Sequence, residues 1–304
     1  MDESEILTIH DPRFALDNDR GKPDFLLVGG MKCGTTSFAK YLSAHPQISL
    51  SGPKEPNYWS WHRYPLKYQD FFVNKHSFDT PSLEQFISGE FSTSYLLHPM
   101  VPRRVRSYLP GVKIFIFLRN PVDRAFSHFM MVKRAGGESE CSFKEIVKKE
   151  IKEIPDLLAA HERGFRDISG KTRSCYTDIN DIPLSISDHK KGSLKNEIYD
   201  DIALRDFYYK SYVFRSIYYD QVRRWLTMFP KEQVMIVKSE SFFDDAVDTM
   251  SRAIDFLGLN YYDFKESDYL LRSWDAGASN SEQMPENYKK LDSYTRSLLL
   301  EFFN

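Results

Sequence analysis

Cysteine is scarce: Cys33, Cys141 and Cys175 are the three among 304 residues. That count excludes the disulfide-dense scaffold of small secreted domains. Cys141 and Cys175 could pair in an oxidising compartment, and the sequence leaves that open. Long hydrophobic runs are missing as well, and no stretch approaches the roughly 20 apolar residues of a membrane-spanning helix. Residues 1–23 are polar and carry no signal-peptide core. An excess of one charge is also absent. With 41 Lys and Arg against 43 Asp and Glu, the formal net charge of −2 gives no global attraction to nucleic acid or membrane. The spacing of His62, His76 and His98 matches no metal motif, so no metal is expected. There is no internal repeat and no low-complexity tract. What is present is 41% hydrophobic and 15% aromatic residues, enough to bury a large core as one domain or one with a satellite.

The stretch Asp24 to Tyr41, DFLLVGGMKCGTTSFAKY, carries the most information. Phe25-Leu26-Leu27-Val28 reads as a buried strand, and a helix opens at Gly34-Thr35-Thr36-Ser37 after a glycine-bearing turn. Such a turn offers successive N–H groups and the positive end of a helix dipole to an anion. Lys32 and the three hydroxyls add donors at the same place, with Cys33 as a small residue between them. A Walker A loop would read G-x-x-x-x-G-K-[ST]. Gly29 and Gly34 have that spacing, but Thr35 stands where the lysine belongs, and the lysine sits earlier, at Lys32. The pattern therefore argues against ATP or GTP and for a ligand whose leaving group is a single 5′-phosphate. On its own, a Gly-Thr-Thr turn equally describes a plain helix cap.

A second motif shifts the balance towards the anion-binding reading, although Arg119 as a solvated strand-end charge and Ser127 as a filler on a helix face stay open. Val112 to Arg119, VKIFIFLR, is a near-continuous apolar run of the kind expected for a parallel strand buried on both faces. It ends in Arg119-Asn120-Pro121, where Asn120 suits an N-cap and Pro121 the first helical position. Arg119 thus stands at the carboxyl end of a strand, where open α/β sheets bind ligands. Ser127 follows about two helical turns on.

Together, MKCGTTSF after one strand and FLRNPVDRAFSHF after another resemble the sulfotransferases that use 3′-phosphoadenosine 5′-phosphosulfate (PAPS). The resemblance extends to Lys54-Glu55-Pro56, to GEFSTSYL (89–96), to Ser216-Ile217-Tyr218 and to FLGL (256–259). It covers most of the chain from Asp24 to Asn304. It is closer to the carbohydrate sulfotransferases, such as the heparan sulfate 3-O- and N-acetylgalactosamine 4-sulfate 6-O- enzymes, than to the cytosolic phenol and steroid enzymes. The implied fold is α/β: a P-loop-like parallel sheet flanked by helices on both faces. A polar segment (1–23) precedes a single domain (24–304), with a helical or irregular insertion at about 136–205 over the acceptor site.

The resemblance also implies roles. Lys32 with Cys33, Gly34, Thr35, Thr36 and Ser37 holds the 5′-phosphosulfate; Arg119 with Ser127 holds the 3′-phosphate; Tyr218 lies near the nucleotide. Sulfuryl transfer by in-line displacement depends on positioning and charge stabilisation, together with a base for the acceptor proton. Glu55 is the expected base and Lys32 the leaving-group cation; Glu90 and His98 are the other base candidates, and these two with Lys54 are the acceptor-side candidates. Of the aromatics Tyr58, Trp59 and Trp61, at least one is expected in the core rather than against a sugar ring. One departure from the family is the segment Asp275 to Gln283, which has no lysine or arginine where relatives carry a basic loop; Arg272, Ser279 or Asn280 would have to substitute. The acceptor is expected to be a carbohydrate hydroxyl, less readily an amine. The alternatives are a small natural product and, from another class, a non-catalytic nucleotide-binding protein or a P-loop kinase. With Met1 as the natural start the chain reads as cytoplasmic; a chain trimmed of an anchor would belong to the Golgi lumen.

Beyond these motifs, short strands are expected at Gln47–Leu50 and Gln233–Lys238. Helices are expected at Thr36–Ala44, over Ser142–Arg163 as two pieces broken by Pro155, and at Tyr212–Phe229, Asp244–Leu257 and Pro285–Phe303. Residues 164–200 read as a long irregular loop. Three basic clusters (Arg103-Arg104-Arg106, Lys148-Lys149-Lys152 and His189 to Lys195) could meet an anionic acceptor or be solvated faces.

Overall fold

A computed structural model describes residues 22–52, 54–60, 86–135, 142–162, 211–264 and 291–304. The expectations for Trp61, His62, His76, Cys141, Cys175, the 164–200 loop, the His189–Lys195 cluster and the 272–283 segment lie outside these residues. The described chain divides into two compact units: one within Met1–Arg124 and Tyr218–Leu291, the other Ala125–Ile217 with Asp292–Asn304.

The first unit holds a five-stranded parallel sheet of β1 (Phe25–Gly29), β2 (Ile48–Leu50), β3 (Ile87–Phe91), β4 (Lys113–Leu118) and β5 (Val234–Lys238) in the order β2-β3-β1-β4-β5. The register pairs Phe25 with Gly89 on one side of β1 and with Lys113 on the other. Alternation along the central strands explains why both faces are covered. Phe25 and Leu27 of β1, with Phe115 and Phe117 of β4, pack on one face among residues of α1 (Thr35–Ala44), α6 (Ser239–Asp244) and α7 (Ala246–Leu257). Leu26, Val28, Ile114 and Ile116 turn to the other face. There they meet Tyr58, Trp59, Val101 and Val105 of α2 (Val101–Tyr108), and Trp225 of α5 (Tyr218–Met228). Tyr58 and Trp59 are therefore core residues. The Arg103–Arg106 cluster is partly structural, since buried Arg104 donates through Nη1 to the Trp59 carbonyl at 2.7 Å.

In the second unit, α4 (Phe143–Glu162) packs with α8 (Ser293–Phe303). Buried Glu150 accepts the N–H groups of Tyr212, Val213 and Phe214 at 3.0, 2.9 and 2.8 Å. Lys148 lies over the Tyr294 ring at 5.2 Å and Lys149 pairs with exposed Glu153, so these members of their cluster form a solvated face.

Four helical expectations need correction. The segment around Pro155 is one helix, not two, because Pro155 is on the exposed face, where water can satisfy the carbonyl that it leaves unbonded. Tyr212 to Phe229 is not one helix: Phe214–Ser216 is a 3₁₀ turn held by Glu150, and α5 starts afresh at Tyr218. The helix expected from Asp244 starts at Ala246 instead, because Asp245 ends α6 and caps α7, accepting from the Asp248 N–H at 2.9 Å. The described part of the last helix begins at Ser293, with Asp292 as its N-cap. The helix α3 (Pro121–Arg134) carries Ser127 about two turns from its start.

Candidate active site

All five strands are parallel, so their carboxyl ends deliver five segments to one edge of the sheet. These are the 30–34 loop after β1, Ser51 to Glu55 after β2, Ser92 to Tyr95 after β3, Arg119 after β4 and Ser239-Glu240 after β5.

The 30–34 loop ends at Gly34, whose φ of 87° is left-handed and whose missing side chain leaves α1 without a side-chain cap. No acidic residue lies in the first turn of α1. Its leading N–H groups and dipole are thus open to an anion. A Cβ on Gly34 would sit 2.8 Å from the Phe243 ring, so no other residue fits there undisturbed. Within the turn, Thr35 and Ser37 are buried and Thr36 and Lys32 half-buried. The buried Cys33 amide turns inward to the Gly30 carbonyl at 3.2 Å, and burial pushes the Cys33 thiol up despite nearby Arg124. The start of α3 contrasts with that of α1. Asn120 Oδ1 accepts from the Val122 and Asp123 N–H groups at 3.0 and 3.2 Å, confirming the expected cap. Glu240 Oε1 accepts from the Asn120 N–H at 2.8 Å. The start of α3 is thus capped by a side chain, and that of α1 is not.

Arg119 is half-buried and donates through Nη1 to the Lys32 carbonyl at 3.2 Å, which ties the strand end to the loop. The rest of its five-donor fork is not used by that bond. The Tyr218 hydroxyl donates to the Arg119 carbonyl at 3.0 Å and lies 3.9 Å from Cys33 Sγ. Burial, with Cys33 alongside, keeps Tyr218 protonated well above the ordinary phenol range. On the loop's other side, Ser239 Oγ donates to the Cys33 carbonyl at 2.7 Å.

Glu55 belongs to a neighbouring network. Its Oε2 accepts from Thr93 Oγ1 at 3.0 Å, and its carbonyl accepts from Asn57 Nδ2 at 2.7 Å. Asn57 is in turn held by Ser94 Oγ on its Oδ1 at 2.6 Å and by Ser92 Oγ, which accepts its N–H at 2.9 Å. This network abuts the end of β1 from which the 30–34 loop departs, since a Cβ on Gly29 would meet the Thr93 carbonyl at 3.1 Å. Glu90 and His98 have no exposed surface. Glu90 accepts from Ser92 Oγ at 2.6 Å and from the Tyr95 hydroxyl; burial and that carboxylate hold Tyr95 protonated well above its usual range. His98 Nδ1 accepts the Met100 N–H at 3.2 Å. Lys54 is exposed and Glu55 half-buried, so of the three base candidates Glu55 alone reaches solvent. Among the described residues, the non-glycine positions with left-handed backbone are Lys32, Glu55 and Asn57, at φ 67°, 50° and 53°. Such conformations are costly and concentrate at functional sites. Among the described residues, no group of three or more His, Cys, Asp or Glu converges as a metal site.

Sequence reasoning passed over Thr93, Asn57, Ser239 and Glu240. The first two lie in or beside motifs already noticed, and the last two occupy the same strand-end position that singled out Arg119.

Compared with known proteins, residues 22–271 match the sulfotransferase domain family. The chain belongs to that family. Over 274 residues it is 28% identical to the membrane-associated sulfotransferase kil1 of Dictyostelium discoideum, a match covering 80% of this chain and 58% of that one. It is 27% identical over 302 residues to human bifunctional heparan sulfate N-deacetylase/N-sulfotransferase 2, covering 92% of this chain and 28% of that one. Mouse carbohydrate sulfotransferase 15 is 24% identical, with 92% and 51% covered. A crystal structure of a sulfotransferase from Alicyclobacillus acidocaldarius shares the fold of this sulfotransferase-family chain, with a TM-score of 0.54 and 25% identity over 93% of this chain and 91% of that one. The chain thus spans from about a quarter to just over half of the three curated relatives. None of its described helices is long and apolar enough to cross a membrane.

Proposed function

We propose that the chain transfers a sulfuryl group from PAPS to a hydroxyl of a carbohydrate acceptor, with Glu55 as the base. The observation that carries this reading is the Arg119–Lys32 bond, which wires a strand-end cation to an open helix N-terminus that has no Walker lysine. Two anion-binding positions fixed to each other suit a nucleotide with separate 3′- and 5′-phosphates. When bound, PAPS supplies an activated sulfuryl group on a phosphate leaving group. Lys32 and the amides of Gly34 to Ser37 then offset negative charge on the 5′ side, and Arg119 holds the 3′-phosphate. Glu55, oriented by Thr93, takes the acceptor proton. Lys54, exposed one residue before it, serves the acceptor side in this reading. Family members that use this donor, and relatives named as carbohydrate and heparan sulfate enzymes, support the choice of donor and acceptor class. The N-sulfotransferase relatives give an amine as a second acceptor chemistry.

The test is sulfate transfer from labelled PAPS across glycans, amino sugars and small alcohols, with wild type and Glu55→Gln. Loss of a general base costs about 10²–10⁴ in turnover. Glu55→Gln is expected to lose transfer on that scale while binding 3′-phosphoadenosine 5′-phosphate as wild type does. Full turnover in Glu55→Gln contradicts the assignment of the base.

A further inference from the structure

Ser239 and Glu240, the two residues that follow β5, each act on a different phosphate-binding segment. Ser239 Oγ donates to the Cys33 carbonyl at 2.7 Å. In a trans peptide the N–H opposes the C=O, so this bond aims the Gly34 N–H away from Ser239. Glu240 grips the Arg119–Asn120 peptide by its N–H at 2.8 Å, and Tyr218 grips the same peptide by its carbonyl at 3.0 Å. A peptide held on both sides has little freedom, and Arg119 stands directly on it. Glu240 Oε2 is buried and, among the described residues, has no hydrogen-bond partner. A buried, unsatisfied carboxylate oxygen is unfavourable for stability. That cost sets Glu240 apart from residues selected for packing alone.

We infer that Ser239 and Glu240 are positioning residues for the nucleotide. Ser239 sets the 5′ loop, and Glu240, working with Tyr218, sets Arg119 for the 3′-phosphate. Neither needs to touch the ligand. This rests on the functional reading above, in which Arg119 meets a 3′-phosphate and the 30–34 loop a 5′-phosphate.

The experiment is calorimetry with two ligands, 3′-phosphoadenosine 5′-phosphate and adenosine 5′-phosphate, which differ only at the 3′ position. Glu240→Ala is expected to weaken the diphosphate about tenfold, the scale of one charge-assisted hydrogen bond, and to leave the monophosphate unchanged. Glu240→Gln keeps a side-chain carbonyl for the Asn120 N–H and is expected to recover most of that loss. Tyr218→Phe should reproduce the 3′-selective loss. Combined with Glu240→Ala, it should lose less than the sum, because both residues hold one peptide. Ser239→Ala should weaken both ligands alike. Equal weakening of the two ligands by Glu240→Ala and Tyr218→Phe, or no weakening at all, overturns the inference. If Glu240→Ala fails to fold, Glu240→Gln and Tyr218→Phe carry the test. A wild-type protein that does not prefer the diphosphate over ATP contradicts the functional reading itself, a result distinct from any of these.

Discussion

At the residue scale, three side chains account for most of the proposed chemistry, and each is held by its backbone or a neighbour. Lys32 and Glu55 sit on left-handed backbone, and Arg119 is bonded to the Lys32 carbonyl. Lys32→Ala and Arg119→Ala should each weaken 3′-phosphoadenosine 5′-phosphate binding by about tenfold or more, as expected for a lost charge-assisted contact. Calorimetry with unchanged thermal unfolding checks this; unaltered binding in both variants would remove these residues from the site. Lys32, Gly34 and Arg119 were legible in the sequence because loop spacing and strand ends leave local signatures. Thr93 as the holder of Glu55 was not, since the two are 38 residues apart and the contact exists only once β2 and β3 lie side by side. The burial of Glu90 was hidden for the same reason: its partners are Ser92 and the phenol of Tyr95.

At the scale of elements, buried polar groups decide where helices stop. Glu150 satisfies three buried N–H groups ahead of the 3₁₀ turn, so Glu150→Ala should destabilise by about 3 kcal/mol or more, seen as a lower denaturant midpoint. Glu150→Gln, which keeps an acceptor, should lose less; equal losses would argue against the hydrogen-bond account. At the end of α1, His45 Nδ1 accepts the Gln47 N–H at 3.1 Å, which leaves Nε2 to donate to the Asn260 carbonyl at 3.2 Å. Burial lowers its pKa below the ordinary 6.5, so between the two values the unfolded chain binds more protons than the native one. The stability contributed by neutral His45 is therefore present above about pH 6.5 and is lost as pH falls towards the native pKa. Thermal unfolding between pH 8 and 5 should show that loss, and His45→Gln should reduce it. An unchanged pH dependence in His45→Gln would assign it to other groups. The strands β1, β4 and β5 were readable from their apolar runs, whereas β3 was not. Its sequence, Ile87-Ser88-Gly89-Glu90-Phe91, mixes a glycine covered by the Phe25 ring with a buried glutamate, so neither face shows the expected alternation. The helix α2 was obscured by its arginines, although Val101 and Val105 place its buried stripe one turn apart.

At the scale of the whole molecule, a five-stranded parallel sheet gathers five short segments at one edge, and each of them bonds directly to a segment after another strand. The sequence made the family visible because two of these segments carry phosphate-binding signatures. The acceptor is less legible, since a net charge of −2 gives no global preference for an anionic glycan. The central claim is that this edge binds one nucleotide through two separate phosphates and prefers it to a triphosphate. The most direct test is calorimetric titration of the wild-type chain, without magnesium, against 3′-phosphoadenosine 5′-phosphate and against ATP. The account predicts that the diphosphate binds at least about tenfold tighter, a difference of ~1.4 kcal/mol. ATP binding as tightly as the diphosphate would contradict it.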